Sequence, residues 1–76
     1  MTMTLSDMLS LFPEGSKQQI NVIYPDSHCM YVPNPGFMLA GKNRDPALDM
    51  RVASLDIEQY TEEDKTIVLL VIGVKG

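Results

Sequence analysis

Few residues in this chain have chemistry to offer, and their spacing sorts them. Gly36-Phe37-Met38-Leu39-Ala40-Gly41-Lys42-Asn43 has the glycine, four-residue gap and Gly-Lys of a phosphate-binding loop. Such a loop needs a hydroxyl after the lysine to hold magnesium, a strand before it and a helix after it. Asn43 stands where the hydroxyl belongs, and Asn43-Arg44-Asp45-Pro46 breaks any following helix, so the match is read as accidental. His28 and Cys29 are the only residues of their types. Neighbours on a strand point to opposite faces, so the two do not make a nucleophile and base within one chain. They also fall short of the four ligands of a structural zinc site. Cys29 is expected as a small buried hydrophobe and His28 at a strand edge or surface. No metal or cofactor is expected, and no catalytic constellation is visible.

Acidic residues are concentrated. From Asp45 to Asp64 there are seven acids (Asp45, Asp49, Asp56, Glu58, Glu62, Glu63, Asp64) against one base, Arg51, a net charge of −6 in 20 residues. The whole chain is at −4, so the remaining residues are slightly basic. On a strand, Asp56, Glu58 and Tyr60 share one face, opposite Leu55 and Ile57, and Glu62-Glu63-Asp64 carry the charge into the following loop. A solvated ridge of this kind blocks edge pairing and keeps an apolar strand soluble. It is also a docking surface for a basic groove, with carboxylates in place of phosphates, and would bind in a salt-sensitive way. The residues that would carry this binding are Asp56, Glu58, Tyr60, Glu62, Glu63 and Asp64. No Asp-x-Asp-x-Asp-Gly calcium loop is present.

The cationic counterpart is small. Lys42, Asn43 and Arg44, with Tyr31 and Asn34 nearby in sequence, combine what a nucleotide site needs: cations for phosphate, amides, and an aromatic face for the base. In an oligomer this loop would line a pocket between subunits, and the chain would act as a sponge for a nucleotide messenger.

The elements that must position these residues can be read from periodicity. Leu5, Met8, Leu9 and Phe12 form a helical stripe, Thr4 caps it with Asp7 as a shortened capping-box partner, and Pro13 stops it. Residues 17–24 alternate as a half-buried strand and residues 28–32 form a second short one, giving a hairpin across Pro25-Asp26-Ser27. Residues 33–46, punctuated by Pro33, Pro35, Gly36, Gly41 and Pro46, read as a helical turn or an ordered loop over the core. Residues 50–60 and 66–74 form the strongest strand pair, joined by a polar loop at 61–65. Val52 falls in one phase and Leu55 and Ile57 in the other, which a β-bulge at Ala53-Ser54 would reconcile.

Thr66 to Val74 is apolar on both faces, as a strand covered on both sides would be. If Ile67, Leu69 and Val71 pack on the helix, then Val68, Leu70, Ile72 and Val74 need cover from residues 33–46, from barrel-like closure or from another chain. Association is one way out, because a single core below about 70 to 80 residues rarely supplies more than about 3 to 5 kcal/mol.

At 76 residues, 45% apolar and 21% charged, the chain is expected to fold as a single small α+β domain over residues 1–76. The expected architecture is a short N-terminal helix packed on a small, mainly antiparallel four-stranded sheet built from two hairpins. The net negative charge gives no general attraction for nucleic acid or anionic lipid. One cysteine excludes an internal disulfide framework, and the longest unbroken apolar run, Ile67–Ile72, is far short of the roughly 20 residues of a membrane-spanning helix. The expected location is cytoplasmic.

The order of elements resembles small acidic proteins encoded in bacteriophages and mobile elements of Gram-positive bacteria. The matching stretches are Leu5-Ser6-Asp7-Met8-Leu9-Ser10-Leu11-Phe12, Gln19-Ile20-Asn21-Val22-Ile23-Tyr24, Gly36-Phe37-Met38-Leu39-Ala40, Arg51-Val52-Ala53-Ser54-Leu55-Asp56-Ile57 and the closing apolar strand. Members with a known role often inhibit host defence, by occupying a defence effector such as a CRISPR complex or by sequestering its nucleotide signal. The resemblance implies a non-enzymatic, stoichiometric inhibitor in the bacterial host cell, with a host defence protein as partner. The nucleotide sponge is the alternative, and a small structural or assembly module, homo-oligomeric through its last strand, is a third.

Overall fold

A computed structural model describes residues 2–41 and 45–76. The elements are α1 (Leu5–Leu9), β1 (Gln19–Ile23), β2 (Cys29–Val32), α2 (Pro35–Leu39), a single 3-10 turn (Pro46–Asp49), β3 (Arg51–Glu62) and β4 (Lys65–Lys75). Helix α1 is too short to persist alone and depends on its ends. The expected capping box forms, with the Asp7 N–H donating to Thr4 Oγ1 and the Thr4 N–H to Asp7 Oδ2, both at 3.1 Å. Beyond Leu9 the chain tightens, with Leu11 donating to Met8 and Phe12 to Leu9, until Pro13 ends the run. No helix among the described residues is long and apolar enough to cross a membrane.

The sheet order is β2-β1-β4-β3. Both expected hairpins form, β1 with β2 and β3 with β4. They meet, however, through a parallel β1–β4 pair, so the sheet is mixed. The reason lies in β4, whose two apolar faces need neighbours on both sides. The central position supplies them, and the polar β3 takes the rim. The bulge falls where the phase change requires it, between Val52 and Ser54. Gly73 lies opposite, and a Cβ there would come within 2.3 Å of Ser54 Oγ, so the bulged strand approaches where a side chain is missing.

The helical pieces all pack on one face. Leu5, Leu9, Met38, Ala47 and Leu48 form a buried cluster with Ile20, Val22, Val32, Ile72 and Val74. Residues 33–46 thus contribute Met38 from α2, and the 3-10 turn, which the sequence pattern had not suggested, contributes Ala47 and Leu48. It is therefore Leu70, Ile72 and Val74 that face the helices, while Ile67, Leu69 and Val71 face the back, the reverse of the phase considered from sequence. The back face is covered by its own neighbours: Val71 sits between Asn21 and Asp56, and Leu69 between Gln19 and Glu58. The Tyr60 hydroxyl donates to Gln19 Oε1 at 3.0 Å, closing a clasp from β3 to β1 across β4. Val71 is only 8% exposed.

The β1–β2 connection is a turn with the Ser27 N–H donating to Tyr24 O at 2.9 Å, Pro25 at its second position and Ser27 at φ +74°. A left-handed residue after such a turn is normally glycine, and serine there bears the steric cost of its Cβ. Ser27→Gly is therefore expected to raise stability by about 0.5–1 kcal/mol, read as a higher denaturant midpoint at unchanged slope.

Candidate functional site

The strand register assembles the acidic residues as their spacing implies. Asp56, Glu58, Tyr60 and Glu62 alternate along β3 and pair with Val71, Leu69, Ile67 and Lys65, so they form one column on the back face. Successive members of such a column lie about 6.6 Å apart, two strand rises. The strands run on further than the expected loop at 61–65, to a two-residue turn of Glu63 and Asp64. Both residues have positive φ, +50° and +62°, as the tight hairpin turns that match strand twist demand. Two carboxylates are thereby placed at the hairpin tip, continuing the column.

What makes the column prominent is length. β1 pairs with β4 only from Leu69 to Gly73, whereas the β3–β4 ladder continues out to Glu62 and Lys65. The outer half of the hairpin projects from the sheet as a two-stranded ribbon, and every β3 residue from Ala53 to Glu62 is exposed. None of Asp56, Glu58, Glu62, Glu63 and Asp64 forms an ion pair with a described residue, although Lys65 faces Glu62 across the ladder. Tyr60 is the member with a structural role, through its clasp to Gln19.

Leu55 and Ile57 lie inward of the projecting part, opposite Ile72 and Leu70, where β4 is still paired with β1. They lie on the face of the core, but the helices do not reach them, and they are 55% and 59% exposed. Beside them a shallow groove of about 220 Å³ runs between the end of α1 and β3, lined by Met8, Leu11, Phe12, Pro13, Leu55 and Leu70. The alternation of β3 marked these two residues as apolar; their exposure depends on how far the helices extend, which spacing does not encode.

Of the other candidates, two lie among the described residues. Asn34 Oδ1 accepts the Phe37 N–H at 2.9 Å as the cap of α2, and Tyr31 is exposed on the back of β2. Lys42, Asn43 and Arg44 lie outside the described residues. The phosphate-loop spacing is not a loop, because Gly36 sits inside α2. A larger cleft of about 670 Å³, between Phe12–Lys17 and Asn34–Gly36, involves none of the acidic column.

Cys29 is exposed, contrary to the expectation of burial, because β2 is an edge strand whose back face nothing covers. His28 is at the surface as expected, and its Nδ1 lies 2.6 Å from Asp26 Oδ2. Asp26 also accepts the His28 backbone N–H at 3.2 Å, and these bonds, the backbone one first, hold its carboxyl below the usual carboxylate range. At the same end of β1, the Tyr24 hydroxyl donates to Asp45 Oδ2 at 3.0 Å. Burial, then that bond and the negative charge of Asp45, push the phenol up to about 12. Among the described residues, no group of three His, Cys, Asp or Glu side chains is placed to share a metal ion. No protein-family model, curated protein or solved structure matches this chain.

Proposed function

We propose that this chain acts by binding, docking the acidic face of the projecting β3–β4 hairpin into a basic groove of a protein partner. The observation that carries this reading is the carboxylate column of Asp56 and Glu58, which forms no ion pair with a described residue and continues through Glu62, Glu63 and Asp64 at the tip of a ribbon that stands clear of the core. A projecting ribbon enters a groove that a flat sheet face would not reach. Its charges are fixed in a row at strand spacing, which suits a surface built to follow a phosphate backbone. Among such partners, a nucleic-acid-binding bacterial defence effector is the class that the resemblance to small phage proteins favours, and inhibition would be stoichiometric.

Capture of partner proteins from a bacterial lysate, compared between the native chain and a variant with all five acids changed to lysine, tests this directly. Binding is expected to fall as salt rises and to weaken at least about tenfold in the variant, which corresponds to 1.4 kcal/mol. A partner held equally well by the charge-reversed chain would remove the column from the binding surface.

A further inference from the structure

β3 is a rim strand twelve residues long, and among the described residues only its beginning is paired on the outer side. Thr4 bridges to Arg51, and the Val52 N–H donates to Met3 O at 2.8 Å. From Ala53 to Glu62 no described strand pairs with that outer edge. A long open edge is a template for another strand, and proteins that must not use one blunt it with proline, lysine or a short strand. This stretch has no proline and no lysine; its acids, Asp56, Glu58 and Glu62, turn away an acidic or purely apolar strand and leave a basic one as the strand that fits. Its one self-made partner is the Asp56 carboxylate, which accepts the Ile57 N–H at 2.8 Å. That N–H is bonded to a neighbouring side chain instead of to β4, so it belongs to the outer row, and by alternation the N–H groups of Leu55 and Gln59 point the same way.

The two faces of the edge differ in chemistry. On the helix side Leu55 and Ile57 are exposed and continue into the apolar groove of Leu11, Phe12 and Leu70. On the back, Asp56 and Glu58 alternate with them. A second copy of this chain fits poorly. Antiparallel pairing of β3 with itself centred on Asp56, Ile57 or Glu58 sets Asp56 or Glu58 directly against Asp56 or Glu58 of the other copy, and like charges in that position repel.

We propose that the free edge of β3 takes up an extended segment of a partner protein as a fifth strand, one that alternates lysine or arginine with aliphatic residues. Backbone hydrogen bonds to the outer row hold the segment, its aliphatic side chains extend the Leu55–Ile57 surface, and its cations lie beside Asp56 and Glu58. This mode of docking rests on the binding role proposed above and specifies how the partner is held.

The probe is a capped peptide of about eight residues alternating lysine and valine, with a second peptide N-methylated at alternate backbone positions so that it cannot complete the ladder. Binding is read by titration calorimetry, together with amide exchange at Leu55, Ile57 and Gln59. The unmodified peptide is expected to bind and to slow exchange at those three amides. N-methylation of the peptide is expected to weaken binding at least about tenfold, and Ile57→Lys, which places a charge on the apolar side of the edge, to do the same. Because Ile57 is exposed, that variant keeps its fold, and the methylated peptide requires no change to the protein at all. Absence of binding overturns the proposal. So does binding that ignores both N-methylation and Ile57→Lys yet disappears on charge reversal of the five acids; strand addition then fails while acidic docking stands. Binding that ignores charge reversal overturns the basic segment, and loss of partner capture is then the separate measure of acidic docking.

Discussion

Replacing Ile72 with alanine is expected to lower stability by about 3 kcal/mol, within the roughly 2–5 kcal/mol range for such truncations in a core. Ile72 is completely buried at the centre of the sheet, flanked by Val22 on β1 and Leu55 on β3, with Leu5, Leu9 and Leu48 of the helical layer in the same cluster. The hole has little means of collapsing, because its walls come from elements on every side. A domain of this length has about 4–11 kcal/mol in total, so the variant would sit near the limit of folding. The informative comparison is Ile57→Ala, the same truncation on the same face of the neighbouring strand, where 59% exposure predicts a cost below about 0.5 kcal/mol. Denaturant titration of the two variants measures both. An Ile57→Ala cost approaching that of Ile72→Ala would mean that the apolar face of β3 is covered in solution.

The second large effect is expected at Asp45, whose carboxylate joins two parts of the chain. Oδ1 accepts the Ala47 N–H at 2.8 Å and so caps the 3-10 turn, while Oδ2 accepts the Tyr24 hydroxyl at 3.0 Å. The turn seats Ala47 and Leu48, both fully or almost fully buried, against α1. Asp45→Ala removes the cap, worth about 1 kcal/mol, and the charge-assisted bond, worth about the same at a half-buried site, for a total of about 2 kcal/mol. Tyr24→Phe should then cost about 1 kcal/mol in the native chain and almost nothing in the Asp45→Ala background. Additive losses would mean that the two side chains act separately.

The same contact sets an alkaline limit. The folded phenol titrates at about 12 against an ordinary 10.0, so its contribution is fully present below pH 10 and is lost as the pH rises through 12. Part of that loss should persist in Asp45→Ala, because burial is the largest cause of the shift. Denaturant midpoints followed from neutral pH to about 12 in both proteins would show it.

Local features were legible wherever their cause is local. The Thr4–Asp7 box and the bulge beside Ala53 each depend on a few consecutive residues, and each stands where the spacing puts it, whereas α1 ends at Leu9, short of the stop that Pro13 implies. The placement of Asp56, Glu58 and Tyr60 on one face follows from strand alternation alone. The 3-10 turn at Pro46–Asp49 escaped notice because four residues carry no period, although the Asp45-Pro46 pair is a recognisable helix start. The exposure of Cys29 could not be read from its type, since an edge strand and a central one differ only in their neighbours.

The amino-acid sequence by itself determined that the chain is polarised, with seven of its ten acids between Asp45 and Asp64 and with Asp56 and Glu58 on one face of one strand, and that its last strand is apolar on both faces. It did not determine which face of β4 the helices cover, because both faces are apolar and alternation is symmetric between them. Tertiary structure decided that, through the parallel pairing with β1, and it joined β3 to β1 across the back of β4 by the Tyr60–Gln19 bond. It also turned a charged strand into a projecting edge. Pairing with β1 ends at Leu69 while the hairpin runs on to Glu62 and Lys65, and how far one element outruns another depends on contacts between residues distant in the chain.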